Sequence, residues 1–208
     1  MPRQQTASSD PSSYAALAEE QARRAGTYSI LAALLRASPG AELLEFTTRL
    51  EADAAEQKSE LALALTMLSL AARHSNPEEL RDEFHALFIG LGRGELVPFG
   101  SWYQTGFLME KPLGLLRGDL ARLGFERAAG VHEPEDHIAA LCEVMAMLIG
   151  EELPIEGQRH FFNSHIGNWA ETFFSDLATA RSAIFYKSVA RLGGAFMALE
   201  SRYLSLLD

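Results

Sequence analysis

The chain has 208 residues, 48% of them apolar and 22% charged, and a formal charge of −10. That size suits one large domain or two small ones, and the acidity argues against nucleic acid as a partner while leaving a basic partner open. Leu and Ala dominate and β-branched residues are scarce, which favours helix, and no apolar run reaches the roughly 18–20 residues needed for stable membrane insertion.

Residues 1–10 are polar and are expected to form a disordered tail. Asp10-Pro11 then reads as a cap followed by a first-turn proline, and Leu17, Tyr28, Leu31, Leu34 and Leu35 mark a helix to about residue 36. Arg23-Arg24 before the apolar stretch from Tyr28 to Leu35 faintly resembles an export signal. Glu19 and Glu20 crowd its basic side and Arg36 closes it early, so an amphipathic first helix explains it better. Ser38-Pro39 signals a second start, followed by Leu43, Leu44 and Leu50. Leu61, Leu65, Leu68 and Ala72 stripe a third helix. Asn76-Pro77-Glu78-Glu79 opens a fourth, with Leu80, Phe84, Leu87 and Phe88 on one side.

Gly90, Gly92, Gly94, Pro98 and Gly100 predict a loop. It ends in neither a P-loop nor a dinucleotide fingerprint. Phe99, Trp102, Tyr103 and Phe107 make it aromatic, with Val97 and Pro98 beside them, so it either packs on the core or lines an apolar groove. Helix resumes near residues 112–123, and a further loop covers 124–133. Glu133-Pro134-Glu135-Asp136-His137-Ile138 then places three carboxylates and an imidazole at the mouth of an apolar helix. With Glu133 as N-cap, Pro134 falls in the first turn and Asp136 at the third position, near free N–H groups and the positive helix end. Ile138, Leu141, Cys142, Met145, Leu148 and Ile149 form one stripe, with His137 on its edge and Asp136 pointing away from it. Cys142 is the only cysteine, which excludes an internal disulfide and suggests a buried thiol in a reducing compartment. Two shorter helices are expected near 158–166 and 168–180. The last runs from about Ser182, with Phe185, Val189, Leu192, Phe196, Leu199 and Tyr203 in step. Residues 11–208 therefore read as a single-domain, all-α helical bundle of roughly nine helices.

The 132–137 cluster lacks the two histidines four apart that a zinc-protease helix needs, since Asp136 stands four after His132. No nucleophile is fixed by local spacing near His137. The residues favour a binding module with no catalytic residue, metal or cofactor: an apolar groove with an acidic rim. The alternatives are a nucleotide- or metal-dependent hydrolase using the 132–137 cluster, and a helical scaffold without a peptide groove, in which Trp102 is packed away.

The run Phe84-His85-Ala86-Leu87-Phe88, then Val97-Pro98 and Ser101-Trp102-Tyr103, then Glu133 to Ile138, then Phe161 to Trp169 and Phe185-Tyr186-Lys187, resembles the TorD/DmsD/NarJ family. The resemblance covers residues 12–204 in order. It implies a cytoplasmic, all-helical chaperone, monomeric or homodimeric. Its partners would be an apo molybdoenzyme catalytic subunit, such as a formate dehydrogenase or DMSO/TMAO reductase, and that subunit's twin-arginine signal peptide. The family's peptide contacts carry over to Asp136 and His137, with Leu87, Phe88, Trp102 and Tyr103 nearby. Glu133 and Glu135 supply further carboxylates that can pair with arginine. Phe99-Gly100 departs from the family's usual Tyr-Glu, and the Gly-Arg-Gly-Glu run is similar to formate dehydrogenase-associated members.

Overall fold

The computed structural model describes residues 11–50, 59–90, 93–128, 130 and 132–206. The expected tail at 1–10 lies outside them. The described residues form ten α-helices: α1 (Pro11–Arg36), α2 (Ala41–Thr48), α3 (Glu60–Arg73), α4 (Pro77–Phe84), α5 (Gly100–Thr105), α6 (Lys111–Arg122), α7 (Ile138–Gly150), α8 (Ile155–His165), α9 (Ala170–Thr179) and α10 (Tyr186–Ser205). Among them there is no strand, only one isolated bridge pair.

Local chemistry sets several of these boundaries. The Asn76 side chain accepts hydrogen bonds from the N–H groups of Glu78 and Glu79, and Pro77 takes the first position of α4. Ser59 caps α3 in the same way. Helix α4 then widens into a π-helical turn, His85–Ile89, which Gly90 ends at φ 61°. Helix α2 starts at Ala41, later than Ser38-Pro39 suggests.

Helices α1 and α7 pack along each other at the centre, and α10 packs on α9, α3 and α1. Tyr28, Leu31 and Leu34 of α1 meet the α7 stripe, and all six predicted stripe residues, Cys142 included, are buried. Phe173, Phe174 and Leu177 of α9 face Val189, Leu192 and Phe196 of α10. Gly193 is what lets these two helices touch, because a Cβ there would lie 2.1 Å from the Phe174 ring. On α10 the predicted stripe is buried from Phe185 to Phe196, whereas Leu199 is exposed and Tyr203 half-buried.

One buried ion pair ties α1 to α10. The Arg24 guanidinium donates Nε and Nη2 to the two Glu200 carboxylate oxygens at 2.7 and 2.8 Å. Its Nη1 donates to Gln21 and Gln158, the Tyr28 hydroxyl donates to Glu200, and the Tyr203 ring lies 4.4 Å from the guanidinium carbon. Two carboxylates pin the turn before α10: Glu83 accepts from the N–H groups of Ile184, Phe185 and Tyr186, and Glu95 from those of Arg181 and Ser182.

Candidate functional site

The segment 133–138 does not begin a helix at Pro134. Helix α7 starts at Ile138 with His137 as its N-cap, and residues 133–136 form a turn. The reason is a short extended pairing in which Phe99 lies opposite His137. Gly100 N–H donates to the Asp136 carbonyl and Ile138 N–H to the Pro98 carbonyl, each at 2.9 Å. These bonds draw the Asp136 carbonyl and the Ile138 N–H out of any helical ladder.

Asp136 consequently faces inward, not outward, and is 3% exposed. Its Oδ2 accepts from the Ser101 N–H at 2.7 Å and from the Ser101 hydroxyl at 2.5 Å, which closes the start of α5. Its Oδ1 is buried with no partner among the described residues. The His137 ring accepts the Ala139 N–H at Nδ1, 3.1 Å away, so this nitrogen carries no proton. The ring stands edge-on to Phe99 at 5.0 Å. Burial, aided by the nearby Arg36 charge, pushes the His137 imidazole down to about 4, so it is neutral at physiological pH. The aromatic loop is partly helical: α5 carries Trp102 and Tyr103, where glycines and prolines had suggested loop.

Glu133 and Glu135 project the other way, to the edge of a groove of about 510 Å³ between α6 and α7. Leu120, Ala121, Phe125, Ala140, Val144 and Met147 form its apolar lining. Glu126, Glu133, Glu135 and Glu143 stand at its rim with Arg36, Arg117 and Arg127. The rim charges pair. Arg117 reaches Glu135 Oε2 at 2.9 Å, and Arg127 reaches Oε1 at 2.6 Å. Arg36 grips Glu143 and lies 4.0 Å from Glu133. Burial raises the Glu135 pKa, but its own N–H and the two guanidinium groups outweigh it and hold the carboxylate below its usual value.

Leu87, Phe88, Trp102 and Tyr103 do not line this groove. Leu87 is fully buried in the core. Phe88 packs between Phe84 and Tyr186. Tyr103 stacks on Trp169 at 5.4 Å and donates its hydroxyl to Asp176. Trp102 is half-buried, with the Arg93 guanidinium 4.8 Å from its ring. Among the groove residues that sequence reading missed are Arg117, Arg127, Phe125 and Glu143. Only the polar side of α7 hinted at Glu143, and nothing local hinted at the other three.

Elsewhere, a cleft of about 630 Å³ lies at the C-terminal end of α7, between the start of α1 and α8. Among the described residues, no three His, Cys, Asp or Glu side chains are placed to hold a metal, and no helix is long and apolar enough to cross a membrane.

The model of the family described as "Nitrate reductase delta subunit" matches residues 47–175. The chain is 27% identical over 175 residues to the chaperone protein TorD of Vibrio vulnificus (strain YJ016), covering 78% of this chain and 81% of the relative. It is 26% identical over 147 residues to TorD of Vibrio parahaemolyticus, covering 65% and 68%. These relatives are named as chaperones, not as enzymes. In fold it is similar to the crystal structure of a putative redox enzyme maturation protein from Archaeoglobus fulgidus, with a TM-score of 0.57, 20% identity, and coverage of 83% of this chain and 93% of that one.

Proposed function

We propose a function from one premise: the chain belongs to the nitrate reductase delta subunit family. Its relatives are TorD chaperones, and it acts as a maturation chaperone for a redox enzyme. The client in this reading is the apo catalytic subunit of a molybdenum-containing oxidoreductase, met in the cytoplasm before export. The recognised element is the client's twin-arginine signal peptide.

The observation that carries this reading is the α6–α7 groove, whose rim carboxylates already sit in guanidinium pairs beside an apolar floor. A twin-arginine segment has the complementary order: two guanidinium groups, then an apolar stretch. The apolar part would lie on Leu120, Val144 and Met147. The guanidinium groups would meet Glu135, with Glu133 beside it as a second acceptor, since a carboxylate matches arginine's donor fork. Asp136 and His137 serve the same site from beneath, by holding the 133–137 turn against α5. The unpartnered Asp136 Oδ1 is the acceptor left for a client donor that reaches this corner. Leu87, Phe88, Trp102 and Tyr103 lie outside the groove lining, so this reading assigns them no peptide contact.

Titration calorimetry tests this with a synthetic peptide bearing two adjacent arginines and about ten apolar residues. Glu133→Gln with Met147→Asp, a floor residue 41% exposed, is expected to weaken binding about tenfold or more while helicity by circular dichroism stays unchanged. Equal affinity of the variant and the parent would remove the groove from the binding site.

A further inference from the structure

We propose that Arg117 and Arg127 act as an internal stand-in for the client's arginine pair, holding Glu135 closed until a signal peptide displaces them. The proposal rests on the reading of the groove as a signal-peptide site and adds its regulation.

Three observations carry it. First, Glu135 is bracketed by two guanidinium groups from different parts of the chain, Arg117 on α6 and Arg127 in the segment after it. Each group uses Nε and Nη2 on one carboxylate oxygen: Arg117 at 2.9 and 2.9 Å to Oε2, Arg127 at 3.1 and 2.6 Å to Oε1. Two guanidinium groups around one carboxylate is the arrangement a twin-arginine pair would itself produce. Second, the contact is built to exchange. The Glu135 side chain is 19% exposed, Arg117 52% and Arg127 35%, so water and incoming ligands reach all three. Exposed pairs of this kind are weak, and replacing one guanidinium by another conserves the charge and the hydrogen bonds. Third, all three residues edge the apolar floor, so a peptide seated there brings its arginines to the same carboxylate.

This arrangement provides selection. A peptide must supply both guanidinium forks to match the pair it removes. A twin-lysine peptide offers point charges without the fork, so it displaces the internal pair poorly. A purely apolar peptide gains only the floor.

The test compares binding of the twin-arginine peptide, and of its twin-lysine form, by calorimetry. The proteins are the parent chain, an Arg117→Gln/Arg127→Gln variant, and the same variant with Glu135→Gln added. A remote control, Arg49→Gln/Arg202→Gln, removes the same formal charge away from the groove. The Arg117→Gln/Arg127→Gln variant is expected to bind the twin-arginine peptide about tenfold tighter than the parent. Adding Glu135→Gln should abolish that gain, and the remote control should show none. Lysine should be discriminated against more strongly by the parent than by the variant. Parent and variant binding equally well would overturn the stand-in while leaving the groove assignment intact. An equal gain in the remote control would also overturn it, by reducing the effect to bulk charge. Binding by no protein in the set would remove the groove assignment, and the stand-in with it. Should the glutamine variant lose its fold by circular dichroism, Arg117→Lys/Arg127→Lys keeps the charge while removing the fork, and the same tightening is required of it.

Discussion

Of the places where arginine meets carboxylate among the described residues, two stand under opposite conditions. Arg24 and Glu200 are 5% and 0% exposed, and their remaining hydrogen-bonding groups are taken up by Gln21, Gln158 and Tyr28. At the α6–α7 rim, Arg117, Arg127 and Arg36 are 52%, 35% and 29% exposed, and they stand beside an open groove. The same two functional groups therefore do two jobs. Buried and fully partnered, the pair is a fixed strut between α1 and α10, because breaking it strands a charge without water. Half-exposed, the pair is an exchangeable contact, because water or another guanidinium can replace either member at small cost.

Removing the buried carboxylate separates the two kinds of pair most strongly. Glu200→Ala leaves the Arg24 guanidinium enclosed without its partner and is expected to cost about 3–5 kcal/mol in chemical denaturation. Replacing both members, as Arg24→Met with Glu200→Leu, should recover much of that loss, because no buried charge remains. A loss below about 1 kcal/mol for Glu200→Ala would mean that water reaches the strut, and the contrast with the rim would disappear.

His137 lies between the two extremes, buried at the foot of the rim and close enough to Arg36 to feel its charge. Its pKa is lowered from 6.5 to about 4 in the folded chain. The unfolded state therefore binds the extra proton between those values, and stability must fall as pH drops from about 6.5 to 4 and level off below that. The full contribution is about 3 kcal/mol. Asparagine can keep the N-cap through its side-chain oxygen without titrating. Denaturation of His137→Asn from pH 7 to 4 should accordingly show a shallower loss than the parent by about that amount. Parallel curves would show that the imidazole is not held neutral by the fold.

The buried half of the comparison was largely readable in the sequence, and the exchangeable half was not. The stripes from Ile138 to Ile149 and from Phe185 to Phe196 are local periodicities, and burial follows them. The Asn76-Pro77 cap is a local hydrogen-bond pattern and opens α4 as expected. The start of α7 was misplaced because the pairing that delays it comes from Pro98 and Gly100, far away along the chain. That same pairing turns Asp136 inward. Short α5 was hidden because glycine and proline dominate its approach, while Asp136, 35 residues on from Ser101, supplies its N-terminal acceptor. The groove floor joins Leu120 and Phe125 to Val144 and Met147 through helix packing, which leaves no mark on either segment alone. The acidic cluster at 133–136 was visible as composition, but the arginines that answer it come from α1, α6 and the segment after α6.

The smallest expected effect is at Glu143, which tests the exchangeable side directly. Arg36 donates Nε to Glu143 at 3.1 Å, with the two side chains 29% and 47% exposed. Glu143→Gln keeps the size and one acceptor and removes the charge, so Arg36 can turn to Glu133, already 4.0 Å away, or to water. Denaturation should register a cost of no more than about 1 kcal/mol at low salt. At 1 M salt the Debye length falls to about 3 Å, and the difference between parent and variant should shrink further. Glu200→Ala measured in the same series should keep most of its cost, since the salt cannot reach a pair with 5% and 0% exposure. A Glu143 effect of several kcal/mol that ignored salt would mean that the rim is braced like the strut. Its guanidinium groups would then be structural, and a client's arginines would have nothing to displace.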